Sequence, residues 1–354
     1  MKHTLKLVVL FALLFALVAL SFACGVDTKT DDEKIPKVGL LTGTGGLGDN
    51  AFNDLCYNGT QMLSADQLKT DVVEPKDYTE MYGLVQQYAD AADYLLTICV
   101  GYEYTQPLSE LAALYPEQHF VLVDDAVGMD NVHSVSISPQ ENSFQIGAYA
   151  GWMVANGNLP NAQKKNKIGV VAAMDNELLR TFVAGYMCGA KYVNPDVEIM
   201  VGYVGSFADT QTAKELALNM YNSGCDIVWE AAGGSGLGVF EAAKEANLYA
   251  MGCDGYKNSI DGDHIIASSI RRLDLVLNQL ILDAIDGKFV GGDHIYGAAD
   301  SAVEISTKDS NVQSPDAVFN VVDAVTAKMA SGEIVVPAAI EDVDTFIKTY
   351  GNYQ

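Results

Sequence analysis

The sequence predicts an α/β protein built as two doubly wound parallel-sheet lobes. Three observations carry this. Short β-rich runs recur roughly every 23–35 residues, and most are continuously apolar, as parallel strands covered on both faces require. Between them lie segments with apolar residues at helical spacing. Once the leader is set aside, about 320 residues remain, too many for one simple core and enough for two lobes.

The first element is a leader. Lys2 and Lys6 precede an apolar run from Leu7 to Leu20, and Ser21, Phe22 and Ala23 lead into Cys24. A charged start, a short apolar run and small residues before a cut describe a signal peptide over residues 1–23. The run is shorter than the ~20 apolar residues of a spanning helix. Cys24 resembles a lipobox cysteine, acylated at the new N-terminus, although Leu20 stands four residues before it where a lipobox places a leucine three before. Ordinary cleavage beside an incidental cysteine is the alternative. Residues 24–35 then form the lipidated cysteine and a polar tether.

The expected strands are Lys37–Leu41, Asp71–Glu74, Tyr94–Val100, Phe120–Asp124, Val132–Ile137, Lys167–Ala172, Glu198–Val204, Asp226–Trp229, Tyr249–Cys253 and His264–Ser268. The first helix shows one apolar face, with Phe52, Leu55, Cys56, Gly59, Met62 and Leu63 at helical spacing. Another runs from Asp209 to Asn222 and turns Leu216, Ala217, Met220 and Tyr221 inward.

Ligands of open α/β sheets bind beyond the carboxyl ends of strands, so residues there are the candidates. After the first strand, four glycines lie in Thr42–Gly48 and allow close backbone approach. Asp49 or Asn50 can cap the next helix, and Phe52 falls in its first turn, where it packs inward or faces a ligand. Asp124 and Asp125 follow an apolar strand and need partners or water. Phe207 stands at a strand–helix junction in the second half, and two aromatics across a cleft can sandwich a flat ring. Asp254 ends a strand and can grip a vicinal diol with charge-assisted bonds. Arg271 follows another strand, and Arg272 beside it reads as a surface ion-pair residue.

Other chemistries are disfavoured. Gly233 and Gly234 belong to a glycine run spaced G-x-G-x-G, not as a dinucleotide fingerprint. No cofactor is expected. The five histidines form no i, i+4 pair and the six cysteines no CxxC, so no metal site is expected, and the cysteines read as small buried hydrophobes. No catalytic triad can be assembled from the strand ends. A net charge of −25 repels nucleic acid and favours a neutral or cationic solute.

In order along residues 36–340, the chain resembles the basic membrane protein family, nucleoside-binding lipoproteins of ABC importers. The resemblance is carried by Gly45-Gly46 with Phe52-Asn53, Ile98–Tyr102, Asp130-Asn-Val132, Glu141-Asn-Ser-Phe144, Val193-Asn-Pro195, Gly205-Ser-Phe207, Ala232–Gly238, Gly252–Asp254, Ser269–Asp274 and Gly332–Pro337. It implies the type I periplasmic-binding-protein fold, with residues 36–137 plus 268–290 in one lobe and 138–267 plus 291–354 in the other, joined by a hinge. Carried over, Phe52 and Phe207 stack on a purine and Asp254 binds the ribose hydroxyls. Asp124 and Arg271 assist, Gly233 and Gly234 give backbone contacts, Asn53 completes the Phe-Asn pair and Tyr102 lines the cleft. Gly43 stands where the family often has Asp, and Gly48 where it often has another acid, which leaves base preference open. The implied partners are an ABC permease and ATPase, with the membrane reached through the lipid anchor only and the protein monomeric. A sugar or autoinducer-like receptor on the same fold is the alternative.

Overall fold

The computed structural model describes residues 35–49, 51–157 and 159–353. The signal peptide, Cys24 and the tether up to residue 34 fall outside them, as does Asn50. The elements, in chain order, are β1 (Lys37–Leu41), α1 (Phe52–Thr60), β2 (Lys69–Val73), α2 (Tyr78–Ala91), β3 (Leu96–Val100), α3 (Thr105–Leu111), β4 (Phe120–Val123), β5 (Val132–Ile137) and α4 (Pro139–Asn156). They continue through β6 (Lys167–Ala172), α5 (Glu177–Val193), β7 (Glu198–Tyr203), α6 (Thr210–Asn222), β8 (Ile227–Ala231), α7 (Leu237–Ala246), β9 (Tyr249–Cys253) and β10 (Ile265–Arg271). The last are α8 (Leu273–Ile285), β11 (Gly292–Tyr296), β12 (Val303–Ser306), α9 (Asp316–Ala330) and α10 (Val343–Tyr350).

These strands form two six-stranded sheets, ordered β11-β5-β4-β3-β1-β2 and β12-β10-β9-β8-β6-β7. The first is parallel throughout, and the second is parallel except that β12 runs antiparallel to β10. Central strands bury every residue: β3, β4, β8, β9 and β10 have none exposed. That is why their sequences are unbroken apolar runs, since helices cover both faces.

Helix starts follow capping chemistry. The side chains of Asp77, Ser138, Asn176 and Asp209 each accept a backbone N–H from the first turn of α2, α4, α5 and α6. Ala51 cannot cap α1. Asp49 does so instead, its carboxylate accepting the N–H groups of Ala51, Asn53 and Asp54 at 2.8, 2.9 and 3.2 Å.

Two lobe boundaries differ from expectation. Residues 292–296 pair in parallel with β5 and extend the first sheet, whereas the sequence reading returned the chain to the second lobe at 291. The chain instead crosses after β10, adds β11 to the first sheet, and crosses back to lay β12 beside β10. β10 also lies wholly in the second sheet, so the division at 267/268 falls inside a strand. Both β11 and β12 are short edge strands with partly exposed, polar-interrupted sequences, which weakens their pattern.

Candidate functional site

The expected site residues all lie at the carboxyl ends of strands. In the first lobe, Phe52 and Asn53 open α1 after β1, Tyr102 begins a 3₁₀ turn after β3, and Asp124 follows β4. In the second, Phe207 follows β7, Gly233 and Gly234 follow β8, Asp254 follows β9, and Arg271 ends β10.

Arg271 joins the two lobes. Its Nε and Nη2 donate to the two carboxylate oxygens of Asp254, both at 2.8 Å. Its Nη1 donates to Asp124 Oδ1 and Oδ2 at 2.8 and 3.0 Å. Arg271 is only 5% exposed. Burial works against its charge, but Asp124 and Asp254 more than restore it, leaving the guanidinium firmly protonated. Burial pushes the Asp124 carboxyl up, although Arg271 pulls it back. Three charged groups are thus balanced to one net negative charge in a partly dry cleft.

Both acids sit on strained backbone. Asp124 has φ 69° and Asp254 φ 55°, the left-handed region that side chains with a β-carbon enter at a cost and that Asp tolerates better than most. They follow β4 and β9, strands in corresponding places of the two sheets. Strain repeated at both positions points to a demand of the site.

The aromatic rings flank this bridge. The Phe52 ring centroid lies 5.6 Å from the Arg271 guanidinium carbon, and Phe182 of α5 lies 5.7 Å from the same carbon. Phe207 is 49% exposed, and its ring lies close to the open α-carbon of Gly233, which has φ 57°. Ser235 N–H donates to the Phe207 carbonyl at 2.9 Å, and Ser235 Oγ donates to the Ser206 carbonyl at 2.9 Å. The glycine turn therefore seats Phe207 through backbone contacts that larger residues would obstruct.

Asn53 plays a supporting part. It is buried, its Oδ1 accepts from Gly43 N–H at 2.9 Å and its Nδ2 donates to Asp49 at 3.0 Å. Its side chain is committed to the glycine loop that carries Phe52. Tyr102 stands at the rim, 57% exposed. Arg272 pairs with Asp274 at 2.9 Å and Glu304 at 2.6 Å, as a structural ion-pair residue.

Some participants were missed by sequence reasoning. Glu230, the fourth residue of β8, is buried, and its carboxylate accepts the N–H groups of Ala232 at 3.1 Å and Cys253 at 2.9 Å. It thus ties the glycine turn to the residue before Asp254. Burial pushes its carboxyl to about 7. Lys257, also buried, donates from Nζ to the Asp49 carbonyl at 3.1 Å, a second link between the lobes. The signal available for Glu230 was an acid inside an apolar strand. Phe182 and Lys257 gave none, since only folding brings them here.

The five described cysteines are buried free thiols, and among the described residues no cluster of His, Cys, Asp or Glu could hold a metal ion. Two α/β lobes facing across a cleft of strand-end residues define a solute-binding protein of the periplasmic-binding-protein fold. The family described as Bmp, ABC transporter substrate-binding protein PnrA-like, matches residues 35–339, and the chain belongs to it. It is a substrate-binding component of an ABC transporter system, not an enzyme; that role implies a small-molecule ligand with permease and ATPase partners.

The chain is 31% identical over 315 residues to an uncharacterized lipoprotein of Pyrococcus abyssi, covering 85% of this chain and 76% of that one. It is 28% identical over 329 residues to the ABC transporter nucleoside-binding protein BmpA of Lactococcus lactis, covering 85% and 89%. Among solved structures it is similar to an ABC transporter solute-binding protein of Aeropyrum pernix, with TM-score 0.73, 26% identity, and 89% and 97% of the two chains covered.

Proposed function

We propose that this chain captures a nucleoside, with a purine as its base, and delivers it to the permease. One observation carries the reading: the Asp124–Arg271–Asp254 bridge spans the lobes with Phe52 on one side of the cleft and Phe207 on the other. The two rings offer stacking faces for a base. The Asp254 carboxylate, already held by Arg271, keeps lone pairs for the ribose diol. Gly233 and Gly234 supply backbone contacts at the Phe207 face. The Lactococcus lactis relative is named a nucleoside-binding protein, which supports a nucleoside.

The same reading places the protein on the outer face of the cell membrane, monomeric and held by acylated Cys24. Relatives in Pyrococcus species that are named lipoproteins support this. The lobes are proposed to divide as the sheets do, with β11 in the first and β12 in the second.

A thermal-shift screen of the protein beginning after Cys24 tests the ligand class, with nucleosides, free bases and monosaccharides as separate arms. Nucleosides should raise the melting temperature and the other arms should not. A shift with sugars alone would replace the nucleoside reading with a sugar receptor.

A further inference from the structure

Glu103 is an acid that the bridge and the stacking rings leave unused. It is the central residue of the 3₁₀ turn Tyr102–Tyr104 that follows β3, and β3 lies between β1 and β4 in the first sheet. Both flanks of the turn are anchored. Tyr104 Oη donates to the Thr42 carbonyl at the end of β1, at 2.8 Å. Thr105 Oγ1 donates to Asp125 beyond β4, at 2.5 Å. The turn that carries Glu103 is therefore tied on one side to the end of β1 and on the other to Asp125, the residue after the acid that bonds Arg271.

Its direction is also set. The carboxyl folds back over Gly101, whose φ of 115° and missing side chain make the room. It is half-buried, and burial pushes it up, with the Asp124 charge adding to the effect. Beside it, Gly43 brings no side chain to the end of β1; a β-carbon there would stand 3.2 Å from the Val100 carbonyl and 3.5 Å from Asn53 Oδ1. With no side chain on Gly43 or Gly101, this end of β1 and β3 presents the Glu103 carboxyl beside the segment that bears Phe52.

Resting on the nucleoside reading, we propose that Glu103 reads the edge of the stacked base and selects one presenting adjacent N–H donors. An ionised carboxylate is acceptor-only and takes two parallel N–H groups well. Guanine offers such a pair on its pairing edge, at its ring N1–H and exocyclic amine. Adenine offers one amine beside a bare ring nitrogen, whose lone pair faces the second carboxylate oxygen. Glutamine keeps the shape and turns one acceptor into a donor, the pattern adenine complements.

Calorimetry at pH 8 on the full-length protein in detergent tests this, with guanosine and adenosine on wild type, Glu103→Gln and Glu103→Ala. Wild type should hold guanosine about tenfold or more tighter than adenosine, as expected for bonds to a charged group. Glu103→Gln should erase or invert that ratio, and Glu103→Ala should bring it near unity, with melting temperatures unchanged. If one variant melts early, the other decides. A ratio that persists in a folded variant overturns the role of Glu103 and leaves the nucleoside reading standing. If wild type binds neither nucleoside nor any other, the nucleoside reading fails and this inference with it.

Discussion

Phe52 and Phe207 are the stacking residues of the proposed site, and they differ in surroundings. Phe52 is partly buried and packs against the first-lobe core, whereas Phe207 is half exposed over the glycine turn. Replacing either with alanine should weaken nucleoside binding by ~1–3 kcal/mol, about 5- to 150-fold, because each removes one stacking face. Phe207→Ala should leave the urea midpoint unchanged, while Phe52→Ala should lower it somewhat through lost packing. Unchanged affinity in both variants would return the rings to ordinary packing. At this scale the sequence was legible wherever position alone implied function. Asp124, Phe207, Asp254 and Arg271 follow strands that could be read as apolar runs. Glu103, Phe182 and Lys257 were hidden because their reach depends on how a turn folds back or how a distant helix packs, whereas Glu230 showed only as an acid inside an apolar strand. Asn53 was legible as a motif residue, but its commitment to Gly43 and Asp49 was not.

Among the helices, α4 and α5 form the closest pair, and glycine makes this possible. A β-carbon on Gly147 or Gly151 of α4 would collide with the backbone of Tyr186 or Ala190, and one on Gly185 or Gly189 of α5 with that of Gln140 or Phe144. The two G-x-x-x-G pairs therefore interlock, letting the helix backbones touch. α4 also packs on β10, β12 and α9 and contributes to the cores of both lobes, so its placement fixes where the second sheet begins. Gly189→Ala gains helix propensity, yet the forced separation should cost ~1–3 kcal/mol net, read as a lower urea midpoint with an unchanged slope. A stabilised variant would show that the contact relaxes freely. The central strands were readable because burial on both faces leaves a continuous apolar run. β11 and β12 were not, since Gly-Asp-His-Ile-Tyr has no buried residue and Val-Glu-Ile-Ser is half-buried at its two central positions, so neither forms a continuous apolar run.

The whole molecule carries a stability that depends on pH through Glu230. Its carboxyl lies at about 7 in the folded protein against an ordinary value of 4.5. The folded state holds that proton more tightly, so the group's contribution is fully present below about pH 4.5 and is lost as pH rises through about 7. The span corresponds to about 3 kcal/mol. Glu230→Gln cannot titrate. Relative to wild type it should therefore gain stability by roughly that amount between pH 4 and pH 8, measured by urea unfolding at both ends. A difference between the two proteins that does not change with pH would mean that Glu230 titrates normally and is not held in a dry site. At this scale the architecture was the most legible part of the chain, because the alternation of strand and helix was regular; the path across the hinge was not, because edge strands determine it.

Asp254 decides whether the cleft is built for a nucleoside, since stacking rings alone would accept a free base. The direct measurement is calorimetry with inosine, 2′-deoxyinosine and hypoxanthine on wild type and Asp254→Asn. Inosine should bind tightest to wild type, because only the ribonucleoside brings the full diol to the half-buried Asp254 carboxylate, and bonds to a charged group are the stronger ones. Asp254→Asn should cost ~1.5–3 kcal/mol for inosine and narrow its advantage over the deoxynucleoside. Hypoxanthine binding as tightly as inosine, or a ribose preference that survives in Asp254→Asn, would contradict the assignment of this cleft to a nucleoside held through its sugar.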